Sequence, residues 1–129
     1  MRTYHKPIAA KPTEYRGVTY ASKAEANRAA ELDVLIRAGQ VAWWLRQVPI
    51  DIGEPRVDKP YRVDFLVCEI GKRGYDEVHA EDVTGFMTPS KRRHIRQWRK
   101  RGPFSLHLLT SAGTEVIEGG GANEQSVGL

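Results

Sequence analysis

The sequence predicts a single α/β domain in which helices flank a mixed central sheet, in the order helix, three strands, helix, strand. Three observations support this fold class. A capped amphipathic helix follows Ser22, two strand-like segments at 61–70 and 78–84 are joined by a short loop, and a second helix opens at Thr88-Pro89. Alternation of these element types is typical of α/β architecture. A chain of 129 residues is long enough for one such core and too short for two.

The first helix has a clear beginning and end in the sequence. Ser22 is a good N-cap, and Glu25 three residues later completes a capping box. Apolar residues then recur at helical spacing, and Gly39 is the expected stop. The predicted buried stripe consists of Ala26, Ala29, Ala30, Leu32, Leu35 and Ile36. Residues 15–20 before the helix are predicted as a short strand or hairpin.

The strands follow from composition and alternation. Residues 41–52 are rich in Trp and Val and are interrupted by Pro49. Residues 61–70 are predicted as a strand, 71–76 as its hairpin loop and 78–84 as the paired strand. After the second helix, residues 104–109 form a nearly continuous apolar run of the buried kind, and Val116-Ile117 is predicted to extend the sheet.

The ends of the chain are predicted to lie outside the folded domain, which spans residues 15–118. Residues 1–14 are polar and contain two prolines, so we expect a flexible basic arm. Residues 119–129 begin with three glycines and are predicted as a disordered tail. No apolar stretch suits a membrane helix or a signal peptide. Since Cys68 is the single cysteine, we expect a cytoplasmic protein without an internal disulfide.

The charge is unevenly distributed along the chain. Seven of the 20 Lys and Arg residues lie between Thr88 and Gly102, a segment without an acidic residue. Cations on one helix repel one another, and a bound polyanion relieves that repulsion. We therefore favour DNA binding over the alternative of a merely solvated face. The predicted DNA-binding residues are Arg92, Arg93, Arg96, Arg99 and Lys100.

Two carboxylates stand in the predicted central strands. Asp64 interrupts an otherwise apolar strand, and Asp82 lies near the end of the next one. A buried carboxylate is costly unless something pairs with it. With Glu25 from the first helix, the two would form an oxygen cage suited to Mg²⁺, an ion that can activate water and stabilise charge on a phosphodiester. For Glu25, the capping box is a complete alternative explanation.

Four short motifs, at residues 22–25, 47–49, 63–65 and 81–85, resemble motifs that stand in the same order in two groups of PD-(D/E)XK nucleases. One group is a set of small phage-encoded nucleases similar to endonuclease I-like Holliday-junction resolvases. The other is the endonuclease subunit of heteromeric transposases. Asp64 and the later Asp82 resemble the acids on the family's paired strands, with Val63 where proline often stands. The motifs are Ser22-Lys23-Ala24-Glu25, Gln47-Val48-Pro49, Val63-Asp64-Phe65 and Glu81-Asp82-Val83-Thr84-Gly85, and the resemblance covers residues 15–110.

The resemblance implies a restriction-endonuclease-like core (αβββαβ) and a metal-dependent DNA endonuclease. It implies that Mn²⁺ can substitute for Mg²⁺. We favour a position for Gln47 facing the metal site, with a merely polar strand residue as the alternative. The metal ligands that it implies are Glu25, Asp64, Asp82 and Val83. Branched DNA is the implied substrate, and two symmetric cuts imply a homodimer, in a bacterial host if the chain is phage-encoded. A transposase-like or general nicking subunit and an inactive DNA-binding module remain as alternatives.

Thr84 departs from the family pattern, which has lysine two residues after the second acid. Threonine cannot supply the charge that orients the attacking water and offsets the phosphate. Three explanations stay open. A cation from elsewhere has replaced the lysine, with Lys91 as the first candidate and Arg62 as the second; the site binds two metals; or the chain is a slow or inactive nuclease.

Other conspicuous residues are predicted to have structural or surface roles. Glu81 points away from the Asp82 face and is expected to be solvated. Trp43 and Trp44 are expected in the core and at an interface. His79 and His94 are expected to be structural or surface residues.

Overall fold

A computed structural model describes residues 10–72 and 76–121 of the chain. Two helices and seven strands lie within these ranges. Their bounds are β1 (Thr13–Tyr15), β2 (Val18–Tyr20), α1 (Lys23–Arg37), β3 (Val41–Ile50), β4 (Tyr61–Ile70), β5 (Asp76–Val83), α2 (Pro89–Arg101), β6 (Leu106–Thr110) and β7 (Gly113–Ile117). The predicted α/β class is confirmed.

The central sheet has five strands in the order β3-β4-β5-β6-β7, and β1 and β2 form a separate hairpin. Neighbouring strands of the sheet are antiparallel except β5 and β6, which are parallel. The parallel pair arises because α2 carries the chain from the end of β5 back to the start of β6. The sheet is therefore mixed, as predicted.

The two helices pack on opposite faces of this sheet. Ala80 of β5 belongs to the cluster that contains Ile95 and Trp98 of α2. The next residue, Glu81, instead bonds to Arg28 of α1. Because consecutive strand residues point to opposite faces, α1 and α2 must lie on different sides of the sheet.

Helix boundaries agree with the local signals. Ser22 caps α1 and Thr88 caps α2, each accepting a hydrogen bond from a backbone N–H three residues later. The buried stripe of α1 is narrower than predicted, since Ile36 is exposed. Neither helix in the described ranges is long and apolar enough to cross a membrane.

The predicted interruption at Pro49 is wrong. Strand β3 runs through Pro49, which pairs with Arg62 of β4. Because β3 is an edge strand, the missing N–H of proline need not break the sheet. The strand ends at Ile50, two residues earlier than predicted.

The two chain ends differ from their predicted boundaries. Strand β1 takes up Thr13 and Glu14 of the predicted arm; residues 1–9 lie outside the described residues. At the other end, Gly119 is buried against the end of α2, where a Cβ would overlap the Gly102 carbonyl. Glycine is needed there for close approach of two backbones, which corrects the prediction of disorder at 119–121. The rest of the predicted tail, 122–129, lies outside the described residues.

Candidate active site

The two acidic strand residues lie where β4 and β5 separate. The ladder between these strands ends at the pair Phe65 and Glu81. Beyond it, the Asp64 N–H donates to Asp82 Oδ1 at 3.0 Å, and the Val83 N–H donates to Asp64 Oδ2 at 2.8 Å. These reciprocal side-chain bonds replace ladder bonds and hold both carboxylates at one end of the sheet.

Asp82 is only 2% exposed. Its Oδ2 atom is buried and has no hydrogen-bond partner among the described residues. Burial raises the pKa of Asp82 to about 6, against the opposing effects of the Asp64 N–H and the Lys91 charge. A buried carboxylate oxygen without a partner is costly, and a hard divalent cation is one group that would satisfy it.

Glu25 lies in the first turn of α1 and faces Asp64. Burial and the charge of Asp64 raise the pKa of Glu25, and burial likewise raises the pKa of Asp64. The Ser22 hydroxyl accepts a hydrogen bond from the Glu25 backbone N–H at 3.1 Å. This contact uses the backbone of Glu25 and leaves its carboxylate beside Asp64, so helix capping and the acidic cluster coexist.

The three carboxylates suit a cation chemically but are not drawn tightly together. Among the residues described, one group of three or more potential ligands has its ligand atoms all within 4.8 Å: His79, Glu81 and His107. Glu25, Asp64 and Asp82 would have to converge further to share one ion. Their all-oxygen donors and the partnerless Asp82 oxygen nevertheless suit a hard divalent cation.

The group formed by His79, Glu81 and His107 has another explanation. Both Glu81 oxygens accept hydrogen bonds from Arg28 at 2.7 Å, and Oε2 also lies 2.7 Å from His79 Nε2. The two imidazole rings stack 3.9 Å apart with their planes at 13°. Because imidazole lone pairs lie in the ring plane, parallel stacked rings do not converge on a common ion. Arg28, Glu81 and His79 form a hydrogen-bonded network that connects α1 to β5, and His107 of β6 stacks on His79.

This network overturns the prediction for Glu81. The side chain does face away from Asp82, but it is 1% exposed rather than solvated. Against the cost of burial, hydrogen bonds from Arg28 and His79 lower the pKa of Glu81 to about 2. Sequence reasoning missed Arg28, although its position three residues after Glu25 places it on the same helix face. The Arg28–Glu81 pair thus joins the helix of Glu25 to the strand of Asp82.

Gln47 supports Asp64 from the edge strand. Its side-chain amide donates to Asp64 Oδ1 at 3.3 Å, so the structure places it beside the carboxylates. Its φ is +53° in the middle of β3, a conformation uncommon for residues other than glycine. Strained backbone of this kind concentrates at functional sites.

Lys91 reaches the position where the resemblance expects a lysine. Its ammonium donates to the Thr84 hydroxyl at 3.3 Å. Thr84 is buried, and its N–H bonds to the Leu109 carbonyl at 2.8 Å. The positive charge of Lys91 opposes the burial that raises the pKa values of Asp64 and Asp82. Arg62, the second candidate, is exposed and forms no side-chain hydrogen bond within the described ranges.

A groove of about 910 Å³ opens beside these residues. It lies between the start of α1, the end of β5 and the β6–β7 turn. Three predicted site residues line it: Glu25, Val83 and Thr84. Asp64 and Asp82 are not on its surface, so the acids closest to a ligand in the groove come from α1.

The cations of α2 divide into three sets. Lys91 faces Thr84, as described above. Arg93 pairs with Asp58 at 2.6 Å and Arg101 donates to the Gly53 carbonyl, so both tie α2 to the 51–60 segment. The others are exposed and form no ion pair within the described ranges. We call them the basic stripe: Arg92, Arg96, Arg99 and Lys100.

The basic stripe follows one helix face, because its members are spaced four, seven and eight residues from Arg92. Arg93, three residues before Arg96 and seven before Lys100, borders the stripe. Its guanidinium pairs with Asp58 in the structure, and its contact with DNA stays a prediction. The remaining four predicted DNA-binding residues stay on a continuous exposed surface.

Comparisons with protein-family models, with curated proteins and with solved structures found no match to this chain. What the site can do chemically therefore follows from its own side chains.

Proposed function

We propose that this protein is a metal-dependent DNA endonuclease of the PD-(D/E)XK type with a restriction-endonuclease-like core. The observation that carries the proposal is the buried, partnerless oxygen of Asp82, held by reciprocal hydrogen bonds to Asp64 at the open end of β4 and β5. The mixed sheet between two helices and the carboxylate of Glu25 nearby support it. All three acids occur in motifs that resemble this family.

The proposed ligands of Mg²⁺ or Mn²⁺ are Glu25, Asp64, Asp82 and the backbone of Val83. The bound ion would supply the positive charge that hydrolysis of a phosphodiester requires. Gln47 holds Asp64 in place through its amide. Lys91, beside Thr84, offsets negative charge on the scissile phosphate, and the basic stripe binds flanking phosphates.

Branched DNA such as a Holliday junction is the proposed substrate, cut by a homodimer with one site in each subunit. Both statements extend the resemblance to junction resolvases. A second function, DNA binding without cleavage, is favoured by one specific observation: threonine occupies the position where the resemblance expects a catalytic lysine.

Cleavage assays separate these functions. The purified protein is incubated with a labelled four-way junction, a duplex and a single strand, in Mg²⁺ or Mn²⁺. We expect cleavage of the junction by the wild type and none by Asp64→Ala or Asp82→Ala, because both residues hold the ion. Asp82→Asn retains the side-chain shape, so its loss of cleavage could not be attributed to a folding defect. Glu77→Ala is the matched control, since it removes an exposed acid from the same strand.

DNA binding by all these variants should remain close to that of the wild type. Cleavage by Asp82→Ala at the wild-type rate would show that the site is wrongly assigned. Tight DNA binding without cleavage in either metal would instead favour the non-catalytic module.

A further inference from the structure

Phe86 is the most exposed aromatic side chain among the described residues, at 61%. It lies in the loop between β5 and α2 and lines the groove beside Glu25 and Thr84. Single exposed apolar residues are common on protein surfaces. Phe86 differs because its loop is held in place and because it borders the candidate active site.

The loop that carries Phe86 is anchored on both sides. Thr84 is buried and bonded to the Leu109 carbonyl. Met87 packs against the core between the sheet and α2, and the Thr88 hydroxyl caps α2 by accepting from the Lys91 N–H. With its neighbours fixed, the backbone of Phe86 is held at the groove, and the ring that it carries lines the groove while staying largely exposed.

The groove beside Phe86 has the size for a planar group, and its lining combines apolar residues with the acids Glu25 and Glu31. Its volume of about 910 Å³ is within the roughly 300–1,000 Å³ typical of ligand pockets. Ala21, Ala24 and Leu109 contribute apolar surface. The ammonium of Lys91 lies at Thr84, which also lines the groove. An aromatic ring, apolar walls and a nearby cation suit a nucleotide whose base is not stacked in a duplex.

We propose that Phe86 stacks on an unpaired nucleobase of the bound DNA and so selects substrates with a branch, flap or gap. This inference rests on the proposed function and deepens it, since it names the DNA feature that the site recognises. Phe86 contacts the substrate and determines specificity; the acids and Lys91 perform the chemistry. A continuous duplex keeps its bases stacked and leaves the groove without this contact.

Equilibrium binding tests the proposal without relying on cleavage. Fluorescence anisotropy is measured with Ca²⁺ replacing Mg²⁺, on a duplex and on the same duplex carrying one unpaired 2-aminopurine. We expect Phe86→Ala to lose roughly 5- to 140-fold in affinity for the second DNA, the range for one base–aromatic stack. Affinity for the duplex should change less than about 2-fold. Stacking in the wild-type complex should also quench the 2-aminopurine fluorescence.

Three further variants define the contact. Phe86→Trp should restore both affinity and quenching, whereas Phe86→Leu should not, because leucine lacks a π face. Val57→Ala should leave binding unchanged; Val57 is 73% exposed and does not line the groove. Equal losses on both DNAs, or quenching retained in Phe86→Ala, would overturn the inference while leaving the nuclease proposal intact. Failure of the wild type to bind either DNA would overturn both.

Discussion

Thr84 and Lys91 show how a positive charge can be brought to one position of a fold from another position in the chain. The second strand acid is followed by a threonine, whose hydroxyl cannot carry positive charge. The first turn of α2 brings an ammonium to within 3.3 Å of that hydroxyl. The charge therefore lies beside the expected position, although seven residues separate Lys91 from Thr84 along the chain.

Lys91→Ala should reduce the single-turnover cleavage rate by roughly 10²–10⁴-fold, the usual effect of losing one positioned catalytic group. Affinity for DNA should fall far less, because the four cations of the basic stripe remain. Rapid-quench kinetics with saturating protein would measure the rate. Lys100→Ala removes the same charge from the exposed stripe and is the matched control.

Comparing Lys91→Ala with Thr84→Lys distinguishes a site in which Lys91 replaces the expected lysine from a site that has lost its cation. Normal cleavage by Lys91→Ala would exclude Lys91 as the replacement. A strong gain of activity in Thr84→Lys would indicate that the site had lost its cation, since the new ammonium would lie next to Asp82 on the same strand.

At the scale of single elements, α2 combines two roles that its sequence does not separate. Arg93 and Arg101 tie the helix to the 51–60 segment. The basic stripe is exposed to solvent on the adjoining surface of the helix. Since Ile95 and Trp98 anchor the helix in the core, the stripe is held rigidly relative to the acids.

Reversing the charge of Arg92, Arg96 and Arg99 together should weaken binding to every DNA shape. The slope of log affinity against log salt should flatten by about 0.9 for each phosphate that the helix no longer neutralises. Titrations at several salt concentrations would measure this slope. Arg101→Ala is the control and should leave it nearly unchanged, since Arg101 donates to the Gly53 carbonyl. An unchanged slope in the triple variant would mean that DNA binds elsewhere on the protein, for example at the N-terminal basic residues Arg2, Lys6, Lys11 and Arg16.

Asp33 connects three elements on the other side of the sheet. Its carboxylate accepts hydrogen bonds from the Tyr15 hydroxyl at 2.6 Å and from the Trp44 indole at 2.9 Å. Arg16 adds an exposed ion pair at 3.3 Å. Through these contacts, one side chain of α1 holds both the β1–β2 hairpin and β3.

Asp33→Ala should lower the free energy of unfolding by about 1.5–3 kcal/mol, the range for hydrogen bonds to a charged group. Although partial burial opposes the effect, the Tyr15 and Trp44 hydrogen bonds lower the pKa of Asp33 below its usual 3.8. The ionised Asp33 carboxylate therefore stabilises the fold fully above pH 3.8. This stabilisation is lost as the pH falls through the lower pKa that Asp33 has in the folded protein.

Urea denaturation at about pH 7 and about pH 3 would test this dependence, with the difference between wild type and Asp33→Ala shrinking in acid. Arg16→Ala should cost less than about 1 kcal/mol, since its guanidinium is exposed. An Asp33→Ala difference that stayed constant with pH would mean that the ionised carboxylate does not provide the stabilisation.

At the scale of the whole molecule, the candidate site joins elements that are far apart in the chain. Glu25 comes from α1, Asp64 from β4 and Asp82 from β5. The Arg28–Glu81 pair links the first of these elements to the third. A ligand shared by the three acids would therefore tie together most of the fold.

Mn²⁺ should raise the midpoint of thermal unfolding of the wild type. A ligand that binds only the folded state adds about 2.7 kcal/mol at 100 times its dissociation constant. Differential scanning calorimetry with and without Mn²⁺ would measure the shift. We expect it to be absent in Asp82→Asn and retained in Glu77→Ala. An equal shift in Asp82→Asn would place the ion away from Asp82.

Much of the fold could be predicted because its signals are local. The caps Ser22 and Thr88 and the end of α2 at Gly102 depend on neighbouring residues alone, and the helices begin and end beside them. Strand β4 has the predicted bounds 61–70. The predicted acids also come from recognisable local contexts, since a carboxylate within an apolar strand is conspicuous in any sequence.

By itself, the sequence determined the element order, both helix boundaries and the position of the acids within their strands. Only the tertiary structure decided which polar groups are satisfied by partners. Glu81 is buried because Arg28, 53 residues away, bonds to it. Arg93 is engaged because Asp58, 35 residues away, accepts from it. The physical reason is that periodicity reports which face a residue occupies, whereas hydrogen bonding and burial depend on what the fold brings against that face.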